Sequence, residues 1–442
     1  MLDIKFIIEN PGLVKQGVAR KHAHADIDQI VKLYNERNEK MQKFELIRAK
    51  QNEQSTKVKD APKEEKAKLI AEMTKLKEEL KELEPEVTRL EKEIDDLAVM
   101  VPNPPGESTP DGTEADNKPC KTHGEKPKFD FEPKDHIQLG TSLNLLDLER
   151  GTRTSGTRFY YLKNEAVLLE FALVQHILHK LMAKGFQPII PPVLVKEEAM
   201  FATGFFPADK NEIYHVNPKS EANPENDDLY LAGTSEVPLT MLHYTEILPE
   251  EKLPIRYVGF STCFRREAGS YGKDTAGIIR VHQFDKIEMF SFCHPDKSEE
   301  EHELIRSIEE EIMQELGFHY QVLNICAGDL GMPAAKKYDI EVWIPTQGKF
   351  RELTSCSNCT DFQARRSKIR YKTAAGKNEY IHTLNGTACA MTRTLVAILE
   401  NYQNADGSVT IPAVLQPYLG GRTQIGIPQA STIAATHPNV VK

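Results

Sequence analysis

The feature that most constrains this chain is an unbroken heptad seam between residues 69 and 97. Its apolar positions are Leu69, Met73, Leu76, Leu80, Leu83, Val87, Leu90, Ile94 and Leu97, alternately four and three residues apart. That period keeps one stripe of a long helix facing a partner. A weaker seam precedes it at Ile27, Ile30, Tyr34, Met41, Phe44 and Val58, and the turn-like Lys59-Asp60-Ala61-Pro62-Lys63 separates the two. The pattern predicts two helices of about 33 residues folded back as an antiparallel hairpin, roughly 50 Å long. Pro85 removes one backbone donor inside the second helix and is expected to kink it.

Charge is uneven along this hairpin. Residues 29–59 hold eight Lys/Arg against four Asp/Glu, and residues 60–99 hold eight against thirteen. The plain reading is mutual attraction of the two helices; the sharper one is that the basic helix also faces a polyanion. Over the whole chain the formal charge is −10, which excludes a globally basic nucleic-acid binder but not a local basic face. Seven Cys in 442 residues make no disulfide framework. Asp3, Lys5 and Glu9 break any signal-peptide core. No apolar run approaches the roughly 18 residues that cross a bilayer. These features predict a cytoplasmic protein without a membrane partner.

Residues 101–133 contain seven Pro and three Gly, the composition of a linker. Beyond it a helical pattern (Ala166, Leu169, Ala172, Leu173, Ile177, Leu181) ends at Gly185. Strand-like runs cover 257–264, 281–292, 338–344 and 350–353, and a last helix is expected after Gly386, with Met391, Leu395, Ile398 and Tyr402 on one face. The expected fold is therefore α+β: an N-terminal antiparallel two-helix coiled-coil arm and a second domain built on a largely antiparallel sheet. The chain has neither a P-loop nor a glycine-rich dinucleotide turn, so any nucleotide must be held by other means.

Five segments carry candidate chemistry. Phe264-Arg265-Arg266-Glu267 precedes a glycine-rich loop, through Ser270, Gly272 and Gly277, that returns through Val281 to Phe284. A guanidinium at a strand end can hold a phosphate oxygen and a carboxylate together. Glu267 could accept from an adenine amino group and Phe284 could stack on a base; a surface ion pair is the plain alternative. Thr234-Ser235-Glu236 suits a small ligand bearing an ammonium group, or else a helix N-cap. Glu288 lies in a strand-like run, either paired or binding an ammonium group. Glu352 and Ser355, in Arg351-Glu352-Leu353-Thr354-Ser355, could hold Mg²⁺ against phosphate oxygens. Cys356 and Cys359 lack a second pair at matching spacing, so they read as buried, inert thiols and no zinc is expected. Gly386 is expected to turn the chain into a helix whose start, with Arg393, suits a terminal phosphate.

Taken together, these segments resemble the seryl-tRNA synthetases, a branch of the class II aminoacyl-tRNA synthetases. The likeness runs from Met1-Leu2-Asp3-Ile4-Lys5 to about residue 425. It takes in the helical hairpin as a tRNA-binding arm, residues 185–192 as the first class motif, Phe264-Arg265-Arg266-Glu267 as the second, and Gly386 through Arg393 as the third. Cys356-Ser357-Asn358, Asp361-Phe362-Gln363-Ala364-Arg365-Arg366 and His282-Gln283-Phe284-Asp285-Lys286 resemble the seryl branch specifically.

The resemblance implies a class II catalytic domain over 136–427, an arm over 1–100, a linker over 101–135 and a tail over 428–442. It implies serine binding by Thr234, Ser235, Glu236, Arg265, Glu288, Asn385 and Thr387. It implies ATP binding by Arg265, Arg266, Glu267, Val281, Phe284, Glu352, Leu353, Thr354, Ser355 and Arg393. Arg265, Glu352 and Arg393 would carry catalysis, with Mg²⁺ on Glu352 and Ser355. The implied partners are ATP, L-serine, tRNA(Ser), tRNA(Sec) and a second copy of the chain. Two rivals stand beside it: an amino-acid:carrier-protein ligase of the same catalytic fold, and a non-catalytic coiled-coil scaffold.

Overall fold

The computed structural model describes residues 2–60, 62–269, 274 and 276–426. The predicted tail 428–442, Ser270 and Gly272 of the glycine-rich loop, and Ala61 of the hairpin turn lie outside the described residues. The chain forms two compact units, Met1–Pro104 and Pro105–Lys442.

The first unit is helical: α1 (Ile4–Glu9), α2 (Pro11–Arg20), α3 (Ile27–Asp60) and α4 (Lys63–Ala98). The Asp3 side chain caps α1 by accepting from the Lys5 N–H at 2.8 Å, and Pro11 occupies the first turn of α2, where a backbone donor is not needed. The hairpin is antiparallel: Arg37 pairs with Glu91, Lys40 with Glu86, and Gln54 Nε2 donates to Glu72 at 3.0 Å. α4 is continuous through Pro85. Its seam is buried only at the base, where Leu90 and Ile94 meet Ile27, Ile30 and Leu33 and are covered by Ile7, Val14 and Val18 of the short helices. Farther out two helices alone cannot enclose the stripe, and Leu69 through Leu83 stay half-buried.

The second unit is built on an eight-stranded sheet. Its strands are β1 (Lys118–His123), β2 (Gln187–Ile189), β3 (Ile255–Phe264), β4 (Gln283–Cys293), β5 (Tyr320–Asn324), β6 (Lys336–Ile344), β7 (Lys349–Asn358) and β8 (His382–Ala390), in the spatial order β1-β5-β6-β7-β8-β4-β3-β2. Every neighbouring pair is antiparallel except β2–β3. The α+β expectation therefore holds. The Pro-rich stretch is more than a linker, because it supplies the edge strand β1 paired with β5. An edge tolerates Pro119, since one side of such a strand needs no donors.

Five helices matter for the site: α5 (Glu165–Ala183), α6 (Glu236–Thr240), α7 (Ser298–Glu315), α8 (Phe362–Ser367) and α9 (Met391–Asn401). α5 corrects the expectation that no apolar run is long enough to span a bilayer: by length and composition it qualifies. Here Leu169, Leu173, Ile177 and Leu181 of α5 pack into the main core.

Gly386 also departs from expectation. It lies inside β8 and turns nothing into a helix. A Cβ there would meet Ile305 Cγ2 at 2.3 Å and Glu309 Oε1 at 2.8 Å, so glycine lets α7 approach the sheet.

Candidate active site

A cavity of about 410 Å³ opens over β4, β6, β7 and β8 and gathers most of the predicted residues. Strand alternation decides which side chains reach it. On β8, Asn385 and Thr387 line the cavity while Gly386 between them faces α7. On β4, Phe284, Lys286 and Glu288 share the cavity face. Glu288 and Thr387 stand opposite one another across β4 and β8.

One end of the cavity is acidic and buried. Glu288 accepts from Thr387 Oγ1 at 3.0 Å and from Asn385 Nδ2 at 3.2 Å, and pairs with Lys286 Nζ at 2.5 Å. Lys286 Nζ also donates to Thr234 Oγ1 at 2.7 Å. Asn385 Nδ2 lies 3.4 Å from Glu236 Oε2, which links the two carboxylates. Burial and then the Glu288 charge push the Glu236 carboxyl up to about 7, against the pull of Gln363, Lys286 and Arg265. Two carboxylates with an amide and hydroxyls suit a ligand that carries one ammonium and one hydroxyl group.

The opposite end presents guanidinium groups. Arg265 follows β3, with its N–H bonded to His282 O at 3.0 Å and its Nε to Gly233 O at 3.2 Å. Glu267, at the start of the loop with φ of 52°, pairs with Arg280. Arg393, in the first turn of α9, donates to Glu352 O at 2.9 Å and to Ile279 O at 3.3 Å. Its Nη1 is 3.4 Å from Glu352 Oε2. Burial pushes the Glu352 carboxyl up, but Arg393, Lys337 and Arg265 outweigh that and hold it at about 2. Glu352 is therefore an anion in this site, and with the Ser355 hydroxyl it offers the hard oxygen donors that a small divalent cation takes.

Three predicted residues do not line the cavity. Ser235 stands at the N-cap of α6 without a side-chain cap, and its hydroxyl bonds Ser261 Oγ at 2.7 Å. Arg266 binds Glu212 O through its backbone N–H, one residue out of phase with Arg265. Thr354 faces α7 and donates to Glu309 at 3.2 Å. A β-bulge explains Thr354: Ile340 pairs with Thr354 but Glu341 with Glu352, so the extra residue Leu353 puts Glu352 and Ser355 on one face. The other assigned positions, including Glu267, Val281 and Leu353, do line it.

Lys286, Lys337 and Gln363 went unassigned in the sequence. Lys286-x-Glu288 and Lys337-x-Asp339 carried a usable signal, since period-2 spacing on a strand puts each pair on one face. Lys337 Nζ meets Asp339 Oδ1 at 2.9 Å. The cavity walls formed by residues 203–205 and 331–334 have no such local signature. Cys356 and Cys359 are buried, and burial raises the Cys356 thiol well above its ordinary range.

An antiparallel sheet with an arginine at the end of one strand and another opening the helix that follows β8 defines a class II synthetase core. Residues 214–402 match the tRNA synthetase class II core domain (G, H, P, S and T), and residues 1–105 match the seryl-tRNA synthetase N-terminal domain. A serine–tRNA ligase of Treponema denticola is 46% identical over 95% of this chain and 99% of its own length. The crystal structure of seryl-tRNA synthetase from Pyrococcus horikoshii complexed with ATP superposes with a TM-score of 0.90 at 41% identity, covering 97% of this chain and all of that one. The cytoplasmic serine–tRNA ligase of Naegleria fowleri in complex with AMP gives 0.86 at 35% identity over 97% of this chain and 99% of that one. The chain belongs to the seryl-tRNA synthetase family. Its activity is that of a serine–tRNA ligase, which activates L-serine with ATP to seryl-adenylate and passes the seryl group to tRNA(Ser).

Proposed function

We propose that the acidic end of the cavity binds serine and the guanidinium end binds ATP. The observation that carries this is the junction itself: Glu236 and Glu288 are bridged by Asn385, and Arg265 lines the same cavity beside Phe284. Thr234, Glu236, Glu288, Asn385 and Thr387 would take the ammonium and hydroxyl groups. Arg265 would draw the serine carboxylate and the α-phosphate together, and Phe284 would cover the adenine with Glu267 at its edge. Arg393 would hold the terminal phosphate. The serine carboxylate then attacks the α-phosphate and pyrophosphate leaves; the terminal ribose hydroxyl of the tRNA next attacks the seryl carbonyl of the adenylate, and AMP leaves as the ester forms. Both nucleophiles belong to substrates, so the protein supplies positioning and charge.

The ionised Glu352 and the Ser355 hydroxyl would hold Mg²⁺, which shields the phosphates when bound; one carboxylate suffices where phosphate oxygens complete the shell. Residues 1–100 act as the tRNA arm, followed by the segment 101–135 and the catalytic domain 136–427. Exposed Lys43, Arg48 and Lys50 on α3 have no carboxylate partner among the described residues, which supports a polyanion on that helix. The family resemblance extends the tRNA partner to tRNA(Sec). Exposed Leu168, Phe171 and Met182 on α5, with Ile190 84% exposed beyond β2, support a homodimer through this face. A cytoplasmic location is supported by the Naegleria fowleri relative, itself described as cytoplasmic.

The test is serine-dependent ATP–pyrophosphate exchange, titrated with Mg²⁺, followed by charging of bulk tRNA. Exchange that needs serine and Mg²⁺, then stable seryl-tRNA, is the expected result. Exchange without charging would favour a carrier-protein ligase.

A further inference from the structure

The sequence 361–366 has no part in the assignments above, yet Gln363 of α8 is fully buried against the serine end of the cavity. Its Nε2 donates to Glu236 Oε1 at 2.7 Å and to Thr203 O at 3.2 Å, and its Oε1 accepts from Thr383 Oγ1 at 2.8 Å. A carboxylate and a backbone carbonyl only accept, so both amide hydrogens are committed and the amide has one orientation. Thr203 opens the segment 203–205 of the cavity wall. One side chain thus ties that wall to the carboxylate of Glu236.

Glu236 is crowded by charge. Glu288 and Lys286 face it from β4, Arg265 from the end of β3, and the neutral Asn385 from β8. Gln363 is the neutral donor that reaches its Oε1. We propose that Gln363 is a positioning residue for serine recognition: acting through Glu236, it keeps that carboxylate anionic and in one orientation for the substrate ammonium. This rests on the reading of Glu236 as part of the serine site. The physical basis is that a hydrogen bond to the charged form of an acid favours that form, and the site is already one in which burial and Glu288 oppose it.

The experiment measures serine-dependent ATP–pyrophosphate exchange across the neutral pH range in the full chain carrying Gln363→Met, Gln363→Glu or Glu236→Gln. Gln363→Met has similar length and no donor. It should raise KM for serine by about tenfold, leave KM for ATP within about twofold, and move the acid limb of kcat/KM for serine up by about one pH unit. The direction follows because an acid that loses a donor to its anion is protonated at higher pH. Gln363→Glu keeps an acceptor for Thr383 and sets a second carboxyl against Glu236, so its limb moves the same way; it carries the test where the methionine variant does not fold. Equal rises in both KM values, an unmoved limb, or failure of both variants to fold would overturn the proposal. A Glu236→Gln enzyme with normal KM for serine would instead overturn the serine-site reading itself.

Discussion

The Arg265 guanidinium carbon lies 5.3 Å from the centre of the Phe284 ring, across the base of the β3–β4 hairpin. The ring face attracts the cation, and the bond from Nε to Gly233 O fixes one edge of the guanidinium. Its two terminal nitrogens make no hydrogen bond among the described residues, and its charge already acts on Glu236 and Glu352. They are therefore donors held ready for an anion, which is the condition for stabilising charge without reorganisation. Arg265→Ala should lower ATP–pyrophosphate exchange by at least about 10²-fold, the scale of losing one such donor. Near-normal exchange in this variant would remove Arg265 from the reaction.

Glu288 offers a contrasting test. It is buried, and its protein partners are Lys286, Asn385 and Thr387, all at the acidic end. Glu288→Ala should raise KM for serine by more than about tenfold while KM for ATP changes by less than about threefold. Steady-state exchange with each substrate varied in turn reads both. Equal losses for serine and ATP would mean that Glu288 supports the whole cavity and does not read the amino acid.

Much of this was legible in the sequence, for local reasons. A heptad period needs only its own helix, and Leu90 and Ile94 are buried where the seam put them. The strand bearing Glu288 was readable from its apolar neighbours Met289 and Phe290, both fully buried. What was hidden depended on other parts of the chain. The bulge at Leu353 exchanges the faces of Thr354 and Ser355, and no feature of residues 349–358 alone announces it. Gly386 looked like a turn because its reason, the approach of Ile305 and Glu309, comes from a helix some eighty residues earlier. β1 was concealed in a Pro-rich stretch because its partner β5 lies far along the chain. Gln363 stood in a recognisable motif, but its work is defined by Glu236 and Thr203, which only the fold brings to it.

On the other face of β4, Glu170 of α5 bonds Asp285, which also accepts from Thr262 Oγ1 at 2.5 Å. Burial, followed by the bond to Asp285 and its charge, pushes the Glu170 carboxyl up to about 8. In the unfolded chain it would titrate near about 4.3. Between those values the folded state keeps a proton that the unfolded state has lost, so this group's contribution to stability falls as pH rises through the window. Glu170→Gln removes the titration and retains a donor for Asp285. The variant should melt close to wild type at about pH 5 and progressively above it toward about pH 8. Thermal melts across that range decide it; parallel curves would show that Glu170 is not the group responsible.

The arm can be separated from the chemistry, provided the cut respects the first unit's core. Ile27, Ile30, Leu33, Leu90 and Ile94 hold α1 and α2 in place, so removing the whole hairpin would unfold that unit. The outer part contributes only half-buried seam residues and the exposed cations of α3. Deleting residues 41–85 and joining Lys40 to Glu86 by a short turn keeps the Lys40–Glu86 and Arg37–Glu91 pairs. It takes away Lys43, Arg48 and Lys50. Each cation that meets a phosphate releases counterions, so the intact enzyme should show tRNA affinity that drops steeply with salt, and the shortened one a shallower slope. Adenylate formation, which we assign to the second unit, should stay within about twofold of wild type, while tRNA charging at subsaturating tRNA should fall by more than about 10²-fold. Filter binding across a salt series, run beside exchange and charging, gives all three readouts. Charging that survived the deletion with an unchanged salt slope would make the outer hairpin a spacer, and the polyanion contact would then have to be sought on the second unit.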